Sequence, residues 1–113
     1  MRQKAIGRIT KRASGVPLTK SYHEELMRWL KDPKEALMYL DAALEEADKR
    51  VFLLALRDVA QAQGGMVALS RRAALNRENL YRTLSLGGNP SFSGLGAVLN
   101  ALGFRLSVRP LRA

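Results

Sequence analysis

Residues 66–85 read Met-Val-Ala-Leu-Ser-Arg-Arg-Ala-Ala-Leu-Asn-Arg-Glu-Asn-Leu-Tyr-Arg-Thr-Leu-Ser. Leu69, Ala73, Leu75, Leu80 and Leu84 fall on one face of two short helices, over 66–73 and 77–84. Only Ala74-Leu75-Asn76 stands between them. Three residues cannot reverse the chain between antiparallel helices without a sharp corner, but they suit the steep crossing of a helix-turn-helix. Asn76 is a good N-cap for the second helix, because its side-chain oxygen can accept from an exposed amide. Arg71, Arg72, Arg77, Glu78, Tyr81 and Arg82 then face outward.

That pattern is what duplex DNA readout requires: a helix whose first turns offer long polar groups to base edges while its other face is anchored. Arg77 and Arg82 lie close enough in angle to share the groove-facing side, and both suit guanine. Tyr81 suits a phosphate or a thymine methyl. Glu78 suits a cytosine amine, although an i,i+4 pair with Arg82 is the simpler reading. Arg71 and Arg72, one helix earlier, suit phosphate contact, as do Asn89 and the amides at Gly65 and Met66.

Outward from this segment the pattern stays helical. Ser21-x-x-Glu24 has the form of a capping box. Asp32-Pro33-Lys34-Glu35 is a stronger start, with a cap, a proline suited to the first helical position and an early acid. Leu37, Leu40 and Leu44 form the expected inner stripe of that helix, with Ala36, Ala43 and Ala47 beside them. Asp48 caps a further helix with Phe52, Ala55, Leu56 and Val59 inward, and Gly64-Gly65 ends it. After the turn at Gly87-Gly88-Asn89-Pro90, a last helix over 92–102 places Phe92, Leu95, Val98, Leu99 and Leu102 inward. Residues 104–109, Phe-Arg-Leu-Ser-Val-Arg, alternate as a short strand. A lone strand has unpaired edges, so Phe104, Leu106 and Val108 are expected to pair with a second copy across a twofold axis or to pack as an irregular tail.

The expected fold is therefore all-α, five or six short helices containing a lambda-repressor-like helix-turn-helix, with a C-terminal strand. Residues 1–20 read as a flexible basic arm and 21–113 as the domain. Within the domain, 22–63 form acidic helices, 66–102 the DNA-binding part and 104–109 the strand.

The 113 residues carry a net charge of +9, unevenly spread. Residues 1–20 hold six basic groups and no acid, residues 21–63 are net −3, and residues 64–113 hold seven arginines against Glu78 alone. Surplus positive charge at both ends and a net negative middle fit a polyanion partner and, separately, a cationic one. The plain alternative is a basic surface that serves solubility.

Without cysteine and with His23 as the single histidine, thiol catalysis, disulfides and Cys/His zinc sites are excluded. No metal, cofactor or enzymatic activity is expected. His23, beside Glu24 and Glu25 on different helix faces, makes a poor metal site and reads as a surface histidine. Asp41, Glu45, Glu46 and Asp48 read as a solvated acidic ridge before they read as magnesium ligands. Trp29 and Tyr39 read as core or rim residues before partner anchors. No apolar run approaches the ~20 residues of a membrane span, and residues 1–20 resemble neither a secretory signal nor, with Gly7, Gly15 and Pro17, an amphipathic transit helix.

The sequence also resembles a known family. Leu80-Tyr-Arg-Thr-Leu-Ser85, Gly88-Asn-Pro-Ser-Phe92 and Asn100-Ala-Leu-Gly-Phe-Arg-Leu-Ser-Val108 are similar to motifs of the probable addiction-module antidote proteins, a branch of the Xre/Cro-like helix-turn-helix group. Tyr39-Leu-Asp-Ala-Ala-Leu-Glu-Glu46 and Ala55-Leu-Arg-Asp-Val-Ala60 extend the resemblance, which covers roughly residues 22–109. It implies a cytoplasmic, nucleoid-associated bacterial antitoxin that binds a palindromic operator as a dimer, represses its own operon and neutralises a RelE/ParE-like toxin. The acidic residues Asp41, Glu45 and Glu46 are then the expected toxin face. Similar proteins usually have Ala at the place of Ser70 and Gly at that of Ala74. A serine there can bond back to a carbonyl, and alanine in a left-handed turn costs about 1 kcal/mol. The rival readings are a stand-alone helix-turn-helix regulator, an RNA-associated basic scaffold and a pure protein inhibitor. The scarcity of aromatics among the basic residues disfavours the scaffold.

Overall fold

The computed structural model describes Ile9, Arg12, Gly15 and residues 17–111. Six helices run in order: α1 (Lys20–Trp29), α2 (Pro33–Leu44), α3 (Lys49–Ala62), α4 (Gly65–Ala73), α5 (Arg77–Thr83) and α6 (Phe92–Ala101). Ile9 and Arg12 also have helical backbone. No strand occurs among the described residues.

The helix starts are set by local caps. Asp32 Oδ1 accepts from the Lys34 amide at 2.9 Å, Asp48 Oδ1 from Arg50 at 2.9 Å and Asn76 Oδ1 from Asn79 at 2.7 Å. In the first helix the cap is Thr19 rather than Ser21, its hydroxyl accepting from the Tyr22 amide at 3.2 Å. Lys20 and Ser21 are thereby already helical. Ser91 caps α6 by accepting from Gly94 at 3.0 Å.

α3 is the central element. Nine of its 14 residues are buried, including Phe52, Ala55, Leu56 and Val59, as expected of a helix enclosed by neighbours. It packs against α1, α2 and α4, while α4, α5 and α6 pack mutually around Leu69, Leu80, Leu84 and Val98.

Three expectations about the packing fail. α2 is rotated from its expected orientation: Ala36, Tyr39, Leu40 and Ala43 are buried, while Leu37 and Leu44 are 51% and 53% exposed. The rotation brings the Tyr39 hydroxyl to a buried partner on α3, described below. Phe92 is 80% exposed, because it starts α6 directly after the capping Ser91, outside the row that reaches the core. The strand expected over 104–109 does not form. A left-handed Gly103 (φ +90°) ends α6, and the Phe104 amide donates back to the Leu99 carbonyl at 2.8 Å. Residues 105–111 then make no backbone hydrogen bond among the described residues. The described residues supply no second strand to complete a ladder.

Candidate nucleic-acid interface

α4 and α5 are joined by a corner that the local chemistry specifies. Ala74 adopts the left-handed conformation (φ 56°, ψ 35°), the described non-glycine residue with positive φ. The Leu75 amide donates to the Ser70 carbonyl at 3.1 Å and Ala74 to Arg71 at 3.3 Å, the paired bonds of a Schellman turn. Asn76 then caps α5 at once. Ser70 sits on the turn before, its hydroxyl donating back to the Val67 carbonyl at 3.2 Å.

This corner holds α5 by one face. Leu80 and Leu84 are buried, while Arg77, Glu78, Asn79, Tyr81 and Arg82 are exposed. α5 stands as a ridge between two clefts. One, of about 400 Å³, is lined by Arg77 and Tyr81 from α5, Gly65 and Met66 from the start of α4, and Arg57 and Gln61 from α3. The other, of about 450 Å³, is lined by Asn79 and Arg82 on one side and by Asn89, Ser91 and Ser93 on the other. Of the residues expected to contact bases and phosphates, Gly65, Met66, Arg77, Tyr81, Arg82 and Asn89 thus line the two clefts beside α5, whereas Arg71, Arg72 and Glu78 line neither.

Several of these side chains are already engaged. Arg82 and Glu78 form the i,i+4 pair at 3.2 Å, both well exposed, so it contributes little to stability. Arg72 donates to the Gln63 carbonyl at 2.9 Å and so tethers the end of α3. The Asn89 side-chain oxygen accepts from the Lys49 ammonium. Arg57, Arg71 and Arg77 have no hydrogen-bond or ion-pair partner among the described residues. Arg57 and Arg77 line the same cleft; two unneutralised guanidiniums together attract anions, and each offers a planar fork of donors matched to phosphate or guanine. Sequence reading missed Arg57 and Gln61, because nothing local shows that α3 forms a wall beside α5.

It also missed a buried polar cluster. Asp58, in the middle of α3, is 3% exposed. Arg12 grips it with its two terminal guanidinium nitrogens, at 2.8 and 3.0 Å, and the Tyr39 hydroxyl donates to it at 2.8 Å. Tyr39 in turn packs edge-on to Trp29, their ring centroids 6.3 Å apart. Burial, then the Asp58 charge and hydrogen bond, push the Tyr39 phenol far above its ordinary value. Burial opposes the Arg12 charge, but the hydrogen bonds and charge of Asp58 outweigh it, so Arg12 is held protonated above its ordinary value. The available signal was a carboxylate set among the apolar residues of the helix that buries most of its length. The arm expected over 1–20 falls largely on residues outside those described. Ile9, however, is in the core, and Arg12 spends its charge inside the protein.

The acidic and C-terminal candidates lie on another side. Asp41 and Glu45 line a groove whose opposite wall is formed by residues 104–109, and Arg109 approaches Asp41 to 3.6 Å. Glu46, just past α2, is exposed. Phe104 packs partly on the core, whereas Leu106 and Val108 are exposed. Among the described residues no three His, Asp or Glu side chains converge as metal ligands would, and no helix is long and apolar enough to cross a membrane.

The class that emerges is a small helical protein with a corner-mounted basic helix and a separate acidic, partly apolar groove. Comparison with known proteins places it more closely. The family model described as probable addiction module antidote protein matches residues 21–110, and the chain belongs to that family. An uncharacterised protein of Haemophilus influenzae (strain ATCC 51907 / DSM 11121 / KW20 / Rd) is 36% identical over 83 residues, spanning 74% of this chain and 84% of the relative. No solved structure is significantly similar to the chain.

Proposed function

We propose that this protein is a DNA-binding antitoxin of the Xre/Cro-like branch, a regulator rather than an enzyme. In this reading it represses its own toxin–antitoxin operon as a dimer on a palindromic site in the bacterial cytoplasm, associated with the nucleoid through DNA. It neutralises a RelE/ParE-like toxin by direct binding. The observation that carries the DNA-binding part is the mounting of α5. Its inner face is locked by Leu80 and Leu84, and Arg77, Tyr81 and Arg82 project from a ridge flanked by clefts on both sides. In the lambda-repressor-like geometry, α4 and α5 are the helix-turn-helix and α5 enters the major groove. Arg77 and Arg82 then read guanine, with Tyr81 and Glu78 beside them. Arg71, Arg72, Asn89 and the Gly65 and Met66 amides meet the backbone. Family membership supports the toxin partner, for which the exposed carboxylates Asp41, Glu45 and Glu46 are the proposed face.

The test is selection of purified protein against a random duplex pool, followed by Arg77→Ala and Arg82→Ala on the enriched site. Enrichment of an inverted repeat, with each substitution costing about 1–3 kcal/mol at particular base positions, is the expected result. Unchanged selectivity in both variants refutes the readout assignment. Binding that tracks charge alone, with no enriched site, refutes the repressor reading.

A further inference from the structure

Two surfaces that are separate in the sequence meet in the fold. The acidic side of α2 and the segment 104–109 form the facing walls of one groove of about 450 Å³, floored by Leu40, Phe52 and Leu99. We infer that this groove seats the 104–111 segment of a second copy of the chain, so that two molecules exchange C-terminal segments across a twofold axis. The inference rests on the dimeric reading above and assigns it a surface.

The groove is apolar where a solvated surface should not be. Leu37 and Leu44 on the α2 wall are half exposed, Leu106 on the facing wall is exposed, and Val108 beyond it is 98% exposed. The segment is also an open backbone edge. Its carbonyls from 105 to 111, and its amides apart from Pro110, which has none, make no backbone hydrogen bond among the described residues, whereas those of the neighbouring helices are paired. A stretch of unpaired backbone beside an apolar wall is a template for an extended chain.

Charge selects which chain. The α2 wall carries Asp41 and Glu45, and the facing segment carries Arg105 and Arg109. Within one molecule these complementary groups meet only once and loosely, Arg109 to Asp41 at 3.6 Å between exposed side chains. A groove of one sign would call for a foreign partner. This one pairs an acidic, leucine-bearing wall with a cationic, leucine- and valine-bearing segment on the same molecule, so it is complementary to itself. Self-complementarity is the requirement for a twofold interface. In the pair, Arg105 and Arg109 of each copy reach Asp41 and Glu45 of the other, Leu106 and Val108 cover Leu37 and Leu44, and the two segments run antiparallel with their backbones paired. Asp41 and Glu45 are also the carboxylates proposed for the toxin, so the second copy and a toxin compete for them.

The test is sedimentation of the full chain across a micromolar concentration range, with far-ultraviolet circular dichroism to verify folding. The wild type should dimerise. Asp41→Lys with Glu45→Lys sets like charge against the incoming arginines, and Arg105→Glu with Arg109→Glu does the same from the other side. Each double variant should raise the dimer Kd roughly 100-fold. Mixed in equal amounts, the two variants carry walls and C-terminal segments of opposite charge and should form a heterodimer that neither forms alone. Leu106→Asp should also yield a folded monomer. A dimeric wild type whose Kd none of these changes alters would overturn the groove assignment and leave the dimeric reading standing. Double variants that stay monomeric when mixed would likewise overturn exchange between copies. A wild type that is monomeric throughout would overturn both the dimeric reading and this seat.

Discussion

Removing the guanidinium that holds Asp58 should destabilise this protein more than any exposed arginine substitution. In Arg12→Met the apolar stem stays in place, but a carboxylate 3% exposed to solvent loses two hydrogen bonds and its counter-charge, keeping only the Tyr39 hydroxyl. Stranding one partner of a buried ion pair costs about 3–5 kcal/mol. The Arg12 side chain is 16% exposed, so water reaches part of the vacated site, and the retained Tyr39 bond offsets more. The lower end, about 3 kcal/mol, is therefore expected, and for a chain of this size it corresponds to a fall in Tm of roughly 12 °C. Thermal and urea melts followed by circular dichroism at 222 nm measure it, with exposed Arg57→Met as the comparison. Adding Asp58→Asn to Arg12→Met removes the stranded charge and should recover about 1–2 kcal/mol. A loss below about 1 kcal/mol in Arg12→Met, or strict additivity with Asp58→Asn, would refute the view that this pair ties the N-terminal segment to the core.

Two further outcomes follow from local geometry. Ala74 sits at φ 56°, so Ala74→Gly should relieve the left-handed strain and, after the added chain entropy of glycine, raise stability by up to about 1 kcal/mol in urea melts; a loss would contradict the strain. The Tyr39 phenol keeps its proton in the folded state well above its ordinary value of 10.0. Above that pH the unfolded chain binds fewer protons than the folded one, so stability is fully present below pH 10 and declines as pH rises beyond it. Tyrosinate absorbance and circular dichroism should report Tyr39 ionisation together with unfolding; ionisation of all three tyrosines in a still-folded protein would disprove the buried hydrogen bond.

Much of the fold is legible without coordinates wherever its cause is local. Asp32-Pro33, Asp48 and Asn76 start helices because a cap needs only the two or three amides that follow it. The corner at Ala74-Leu75-Asn76 follows from its length, and the outward row Arg77, Glu78, Tyr81, Arg82 follows from the period of α5. Even the Glu78–Arg82 pair is a matter of spacing.

Tertiary structure decided what depends on a distant neighbour. The Leu37-Leu40-Leu44 spacing is a fair inner stripe by itself. Yet α2 turns its Ala36-Tyr39-Ala43 row inward, because Asp58 on α3, 19 residues beyond Tyr39, offers a buried acceptor to the Tyr39 hydroxyl. Arg12 likewise reads as one more basic group in an unpatterned segment until Asp58, 46 residues later, claims it. The alternation over 104–109 is a genuine strand signal, but a ladder needs a partner edge, and none occurs among the described residues. Arg57 counted as charge in the middle of the sequence and becomes a wall beside α5 only when α3 and α5 pack around α4. Caps, turns and periodicity act over a few residues and are written in the order of the chain; burial, charge pairing and the walls of a cleft are set by which distant residues the core brings together.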